Sequence, residues 1–118
     1  MGHIYIDAEL QGAKGTKTVR ALVDTGATYT VIPPELADDI GVVKTPWVDK
    51  VRLADGRTIE AERIGARIQI LDRATTVWVL VMDTQEALIG ADTLESLGFK
   101  VDPTTGKIEP TKSFIARA

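Results

Sequence analysis

Residues 22–33 read LVDTGATYTVIP. Apolar residues lead directly into Asp24, and after Thr25 and Gly26 the chain soon turns apolar again. A carboxylate taken out of water needs hydrogen bonds or a charged partner. Its neighbours here are suited to supply them. A threonine hydroxyl both donates and accepts, and a glycine lets backbone approach closely or take a positive φ. Asp24-Thr25-Gly26 can therefore hold a carboxylate rigidly at a strand end, as a preorganised catalytic group requires. The plain alternative is a turn, because Asp and Gly are both common turn formers. The apolar runs on either side favour a buried segment over a loop that stands out in solvent.

Upstream, Ile4, Ile6, Ala8 and Leu10 alternate with Tyr5, Asp7 and Glu9, the period of a strand with one face inward. Gln11 to Lys17 reads as a hairpin-like connection, and Thr18 to Val23 as a second strand ending at Asp24. Downstream, Ile32 to Gly41 reads as a short helix that proline opens and glycine closes. Lys50 to Leu53 and the segment from Thr58 onward flank Ala54-Asp55-Gly56-Arg57, whose Asp-Gly pair signals a tight turn. The return strand is long, with Ile64, Ala66, Ile68 and Ile70 facing one way and Arg63, Arg67 and Gln69 the other. Ala74 to Val81 is apolar on both faces through Val77-Trp78-Val79-Leu80-Val81, which predicts a central, doubly covered strand with Trp78 in the core. Trp47 follows Pro46 in an expected loop; core packing, packing under the hairpin and a subunit contact are all open to it. Asp92 to Leu97 reads as the second helix, with Asp92 and Glu95 forming a capping box and Gly98 the stop. Phe99 to Pro110 predicts a small hairpin turning near Asp102 to Gly106.

A chain of 118 residues is one domain's worth, taken as residues 1–118. The net charge of -3, with no dense basic cluster, points away from nucleic acid. There are no cysteines, which excludes disulfides and thiolate chemistry and fits a reducing compartment. His3 is the single histidine, so a histidine triad or multi-histidine zinc site is not expected within one chain. The acidic residues are scattered without metal-ligand spacing, and no glycine-rich phosphate loop with a lysine follows a strand. The longest nearly apolar stretch, Thr76 to Met82, is far too short to span a bilayer. The N-terminus lacks the basic and apolar regions of a signal peptide. The expectation is a cytoplasmic protein with no cofactor, metal, membrane or nucleic-acid partner.

The order of the pieces carries more than any one of them. An aspartate loop, a glycine-tipped hairpin, an apolar strand, Leu88-Ile89-Gly90 and a short helix follow in sequence. In this the chain resembles the retropepsin-like aspartic proteases, the single-domain relatives of pepsin-type enzymes, over roughly residues 3 to 100. Asp24-Thr25-Gly26 matches the family's catalytic triplet within the fuller pattern Leu22 to Thr28. Leu88-Ile89-Gly90 matches its apolar-apolar-glycine element, and Val51 to Glu60 its substrate-covering flap. The resemblance implies a mostly β, closed-barrel-like fold with one or two short helices. It also implies an endopeptidase acting on extended polypeptides. Asp24 would be the catalytic aspartate, Thr25 would bond across a subunit axis, and Gly26 would permit the turn. Ala27, Thr28, the flap tip Ala54, Asp55, Gly56 and Arg57, and Leu88 would contact substrate.

The chain departs from viral members in three ways. It has Thr28 where they often carry an acidic residue, a charged flap tip, and a longer tail past Gly98. In these respects it looks closer to cellular prokaryotic members. Aspartic-protease chemistry uses two nearby carboxylates that share one proton, because both cannot ionise together. Met82-Asp83-Thr84-Gln85 lacks the glycine, as does Gly90-Ala91-Asp92-Thr93 after its aspartate. The expectation is therefore a homodimer in which each chain brings its own Asp24. Ile32, Val51, Leu53, Ile59 and Leu88 are candidate pocket liners or core, and Tyr29 stands beside the cleft or supports the loop. A weakly active or inactive peptide-binding module of the same fold is the alternative, followed by an unrelated β-rich domain in which Asp24 is a turn residue.

Overall fold

The computed structural model describes residues 3–111, the side chains of Val43 and Lys44 excepted. Strands alternate with turns until a short helix follows β3 and another follows β7. In order they are β1 (Tyr5–Gln11), β2 (Thr16–Val23), β3 (Thr30–Ile32), α1 (Pro34–Ile40), β4 (Val43–Arg52), β5 (Thr58–Ile70), β6 (Arg73–Val81), β7 (Leu88–Ile89), α2 (Ala91–Leu97), β8 (Phe99–Asp102) and β9 (Lys107–Pro110). β8 and β9 form the expected tail hairpin, and the other seven strands form one sheet in the order β1-β2-β7-β3-β6-β5-β4.

The expected closed barrel is not formed. The sheet ends at β4, a terminal strand bonded only to β5 in the strand order. β1 also reaches β5, but only over Glu9 to Gln11 against Arg67 to Gln69. The reason lies in β5. One of its edges pairs with β6 along Glu62 to Ile70. The other is taken by β4 from Thr58 to Gly65, leaving β1 the far end alone.

The main core lies on one face of this sheet, where period-two alternation places it. Ala8 and Leu10 of β1, Ile64, Ala66, Ile68 and Ile70 of β5, and Val77 and Val79 of β6 are all buried there. Leu36, Ala37 and Ile40 of α1 and Leu94 and Leu97 of α2 cover them. Gly41 and Gly98 end the helices in the left-handed conformation, at φ 69 and 73. No basic residue stands in the last turn of α2. Arg73 of β6 instead donates to the carbonyls of Leu97 and Gly98, at 2.9 and 3.0 Å.

Four local expectations are corrected. Ile32 belongs to β3, and α1 starts at Pro34. Trp47 lies within β4, which begins at Val43, and is 55% exposed. Trp78 is 40% exposed, so β6 is central in the sheet but its outer face is covered at Leu80 and not at Trp78. Asp92 does not cap α2: the N-cap is Gly90, with no side-chain cap bond. The first-turn N–H groups have tertiary partners instead. Ala91 donates to the Ala27 carbonyl at 2.8 Å and Asp92 to that of Thr28 at 2.9 Å.

Candidate active site

Asp24 sits where β2 ends. β7 runs between β2 and β3, parallel to the first and antiparallel to the second. The chain from Asp24 to Tyr29 must therefore arch over the end of β7 to reach β3. Backbone bonds fix both feet of this arch. Leu22 donates to the Ala87 carbonyl and Asp24 to that of Ile89, each at 2.9 Å. Ala27 and Thr28 accept from the first two residues of α2, as above. Within the arch, the Gly26 N–H donates to Asp24 Oδ1 at 3.1 Å, and the Ala27 N–H to the Asp24 carbonyl at 3.1 Å. The Asp24 carboxylate is thus held by local backbone and only partly withdrawn from solvent, while Thr25, Gly26 and Thr28 are exposed.

Gly90 is why the arch can lie so close to β7. A Cβ there would stand 2.4 Å from the carbonyl carbon and oxygen of Tyr29. Beneath it, the Thr30 and Thr93 hydroxyls, both fully buried, lie 2.7 Å apart. Thr30 Oγ1 also accepts from the Gly90 N–H at 3.2 Å. This pair ties β3, β7 and α2 together under the arch. Sequence reasoning did not single it out, since two threonines 63 positions apart carry no pattern that links them.

On the sheet face opposite the main core, Val31, Ala61 and Leu80 form a second, smaller apolar cluster. Tyr29, Val51, Met82 and Leu88 pack against it. Of the expected pocket liners, Val51 and Leu88 belong to this cluster, whereas Ile32 is fully buried in the main core. The cluster links the arch to the base of the β4–β5 hairpin. The hairpin tip is closed on itself: Leu53 and Arg57 are bonded at 2.8 Å, and Arg57 Nε meets Asp55 Oδ2 at 2.6 Å. Ala54, Asp55, Gly56 and Arg57 are all exposed, and Gly56 has φ +90.

Beyond the cluster, Arg63 makes a two-pronged ion pair with Asp49, Nε to Oδ2 at 2.7 Å and Nη2 to Oδ1 at 2.6 Å. These hydrogen bonds hold the Asp49 carboxyl below the usual aspartate range and raise Arg63 further. The guanidinium carbon lies 5.4 Å from the Tyr29 ring centre and 5.5 Å from that of Trp78.

Two surface grooves flank these elements. The larger, about 450 Å³, is lined by β1, β2, the end of β5 and Ile108, and holds no residue of the arch or of the hairpin tip. The smaller, about 380 Å³, opens beside Thr25 between Ala91, Leu94, Phe99 and Val101. The smaller one bears on the chemistry, because it adjoins the Asp24 triplet. Among the described residues, no three His, Cys, Asp or Glu side chains are grouped to hold a metal ion. No helix among them is long and apolar enough to cross a membrane.

The aspartyl protease family model matches residues 6–93, most of the chain, and the chain belongs to that family. No curated protein matches it at a significant level.

Proposed function

We propose that the protein is an aspartic endopeptidase whose active centre forms between two copies of the chain, each contributing Asp24. The observation that carries this reading is the arch. A single Asp-Thr-Gly loop, bonded at both feet to β7 and α2, stands in a chain of the aspartyl protease family. One chain has one such carboxylate, and two-fold symmetry supplies the second.

The two carboxylates would share one proton and titrate as a pair. The ionised member accepts a proton from water as the water oxygen attacks the peptide carbonyl. The protonated member donates a hydrogen bond to the carbonyl oxygen. Collapse of the tetrahedral intermediate then breaks the C–N bond, with a proton going to the departing nitrogen. Thr25 would meet the partner loop, and the groove beside it, between α2 and β8, is where the second copy is expected to seat. Gly26 keeps side-chain bulk away from the carboxylate, since a Cβ there would lie 3.3 Å from Asp24 Oδ1. Ala27, Thr28 and Leu88 would line the path of an extended peptide. The hairpin tip Ala54 to Arg57 would close over it and exclude water. The same reading takes residues 1–118 as one cytoplasmic domain, closer to cellular prokaryotic members of the family than to viral ones.

A second reading keeps the dimer and the cleft but not efficient hydrolysis. The hairpin tip that binds itself through Asp55 and Arg57, rather than offering free backbone, favours it. The test is cleavage of a mixed peptide library across about pH 3 to 8, bracketing the carboxylate range, with wild type and Asp24→Asn side by side. Internal cuts by wild type, absent in a folded, dimeric Asp24→Asn, are the expected result. A monomeric wild type that cuts, or a dimer that binds peptides and cuts none, contradicts the shared-carboxylate peptidase.

A further inference from the structure

The outer face of the sheet continues past the cluster beside Asp24. Leu88 faces Val31, Val31 faces Leu80, and Leu80 faces Arg63 across successive strand pairs. Two residues back along β6, Trp78 faces Gly65, which has no side chain and nothing near its missing Cβ. Trp47 lies within the register shift of β4 between Lys44 and Val48. Its ring meets the Trp78 ring edge-on, with centres 6.0 Å apart. Both tryptophans keep much of their surface exposed, at 55% and 40%. Two tryptophans left in water on a half-covered face are not core, and their arrangement is fixed from below. Arg63 lies against the Trp78 and Tyr29 rings, and Asp49 holds Arg63 by two hydrogen bonds.

We propose that the Trp47–Trp78 pair is an outlying specificity subsite that takes an apolar, preferentially aromatic, side chain of the extended polypeptide substrate. This rests on the peptidase reading for the identity of the occupant. The strip from Leu88 to Trp78 crosses two strand spacings and runs two residues along β6, about 12 Å in all. An extended peptide covers that distance in about three or four residues. The ion pair sets the chemistry. Arg63 and Asp49 neutralise each other, so neither charge is left to select an acidic or a basic side chain, and what is presented outward is indole. Strand addition by another chain is a poorer match for this face. The neighbouring edge strand β4 carries Pro46, a register shift, and the exposed charges Lys50 and Arg52, features that blunt an edge. Arg63 is a positioning residue here, since it acts through the rings it supports.

The test is a panel of decapeptides with Phe or Asp scanned through every position. It is assayed for cleavage by wild type, Trp47→Ala and Trp78→Ala, and for binding to Asp24→Asn with and without Trp78→Ala. The expected result is a preference for Phe over Asp of about tenfold or more at one position, about three or four residues beyond the one that lies over Leu88. Trp78→Ala should abolish it through KM with kcat unchanged, and peptides too short to reach should be cleaved as before. Binding to Asp24→Asn should show the same preference and the same dependence on Trp78. Cleavage with no Trp78-dependent preference, or equal effects on long and short peptides, overturns the subsite alone. Loss of the dimer in Trp47→Ala also overturns it, by making the patch a subunit contact. Trp78-dependent binding of Phe peptides with no cleavage by wild type overturns the hydrolytic reading and leaves the subsite standing.

Discussion

Asp24 and Asp55 begin the same local structure. Each carboxylate accepts a hydrogen bond from the backbone N–H two residues on, at 3.1 Å from Gly26 and 2.9 Å from Arg57. Asp102 repeats it with the Thr104 N–H at 2.8 Å, which holds its carboxyl below the ordinary range. What separates the first turn from the others is anchoring. The Asp24 arch is bonded to β7 at one foot and to α2 at the other, over a buried threonine pair. The Asp55 turn is bonded across its own hairpin and to its own Arg57. Identical local chemistry thus yields a fixed carboxylate in one place and a solvent-facing tip in the other. A triplet becomes a candidate site through its tertiary bonds, and a tip so lightly tied is suited to moving.

The contrast can be broken most sharply at the two glycines. Gly90→Ala drives a Cβ against the Tyr29 backbone, which cannot swing aside as a side chain could. It should cost about 3 kcal/mol or more in urea denaturation, or prevent folding. A loss below about 1 kcal/mol would mean that the arch is not held where described. Thr30→Val should cost about 1–3 kcal/mol in the same assay, because it strands the buried Thr93 hydroxyl and the Gly90 N–H. Gly56→Ala at the tip should cost about 1–2 kcal/mol from its positive φ alone, since an added Cβ meets nothing within 4 Å.

Acid sharpens the comparison on the other side of the small cluster. Asp49 has a depressed pKa in the folded chain, so its pairing with Arg63 contributes stability that is present above the unfolded aspartate value of about 3.9. That stability is lost as pH falls through the lower, folded value. The stability gap between wild type and Asp49→Asn should therefore hold steady above about pH 5 and narrow as pH falls below about 4. An unchanged gap would show that the ion pair is not formed in solution. The smallest effect belongs to the tip, where Arg57→Ala removes an ion pair with both partners largely exposed and should change stability by less than about 0.5 kcal/mol.

The long β5, the Asp-Gly turn, both helix stops and the tail hairpin were legible because each rests on local signals, alternation or a glycine in the left-handed region. The Asp24 triplet and Leu88-Ile89-Gly90 were legible as motifs, although the three-strand crossing that joins them was not. β3 was hidden because it is three residues long, buried throughout, and runs straight into Pro33-Pro34, so no alternation marks it. The capping box at Asp92 failed because carbonyls of the arch took the N–H groups it would have served. Trp47 and Trp78 misled for a related reason. Large apolar residues predict burial, but the sheet is open and that face is only partly covered. The open sheet was itself illegible, since it turns on which strand claims one edge of β5.

The most direct test of a shared active centre is to co-express wild type with a ninefold excess of Asp24→Asn and measure cleavage per wild-type chain. If each centre needs Asp24 from both copies, random pairing leaves about a tenth of the wild-type chains in active dimers, and activity per wild-type chain should fall to about a tenth. If activity per wild-type chain is unchanged by the inactive excess, one Asp24 suffices and the two-chain centre is wrong.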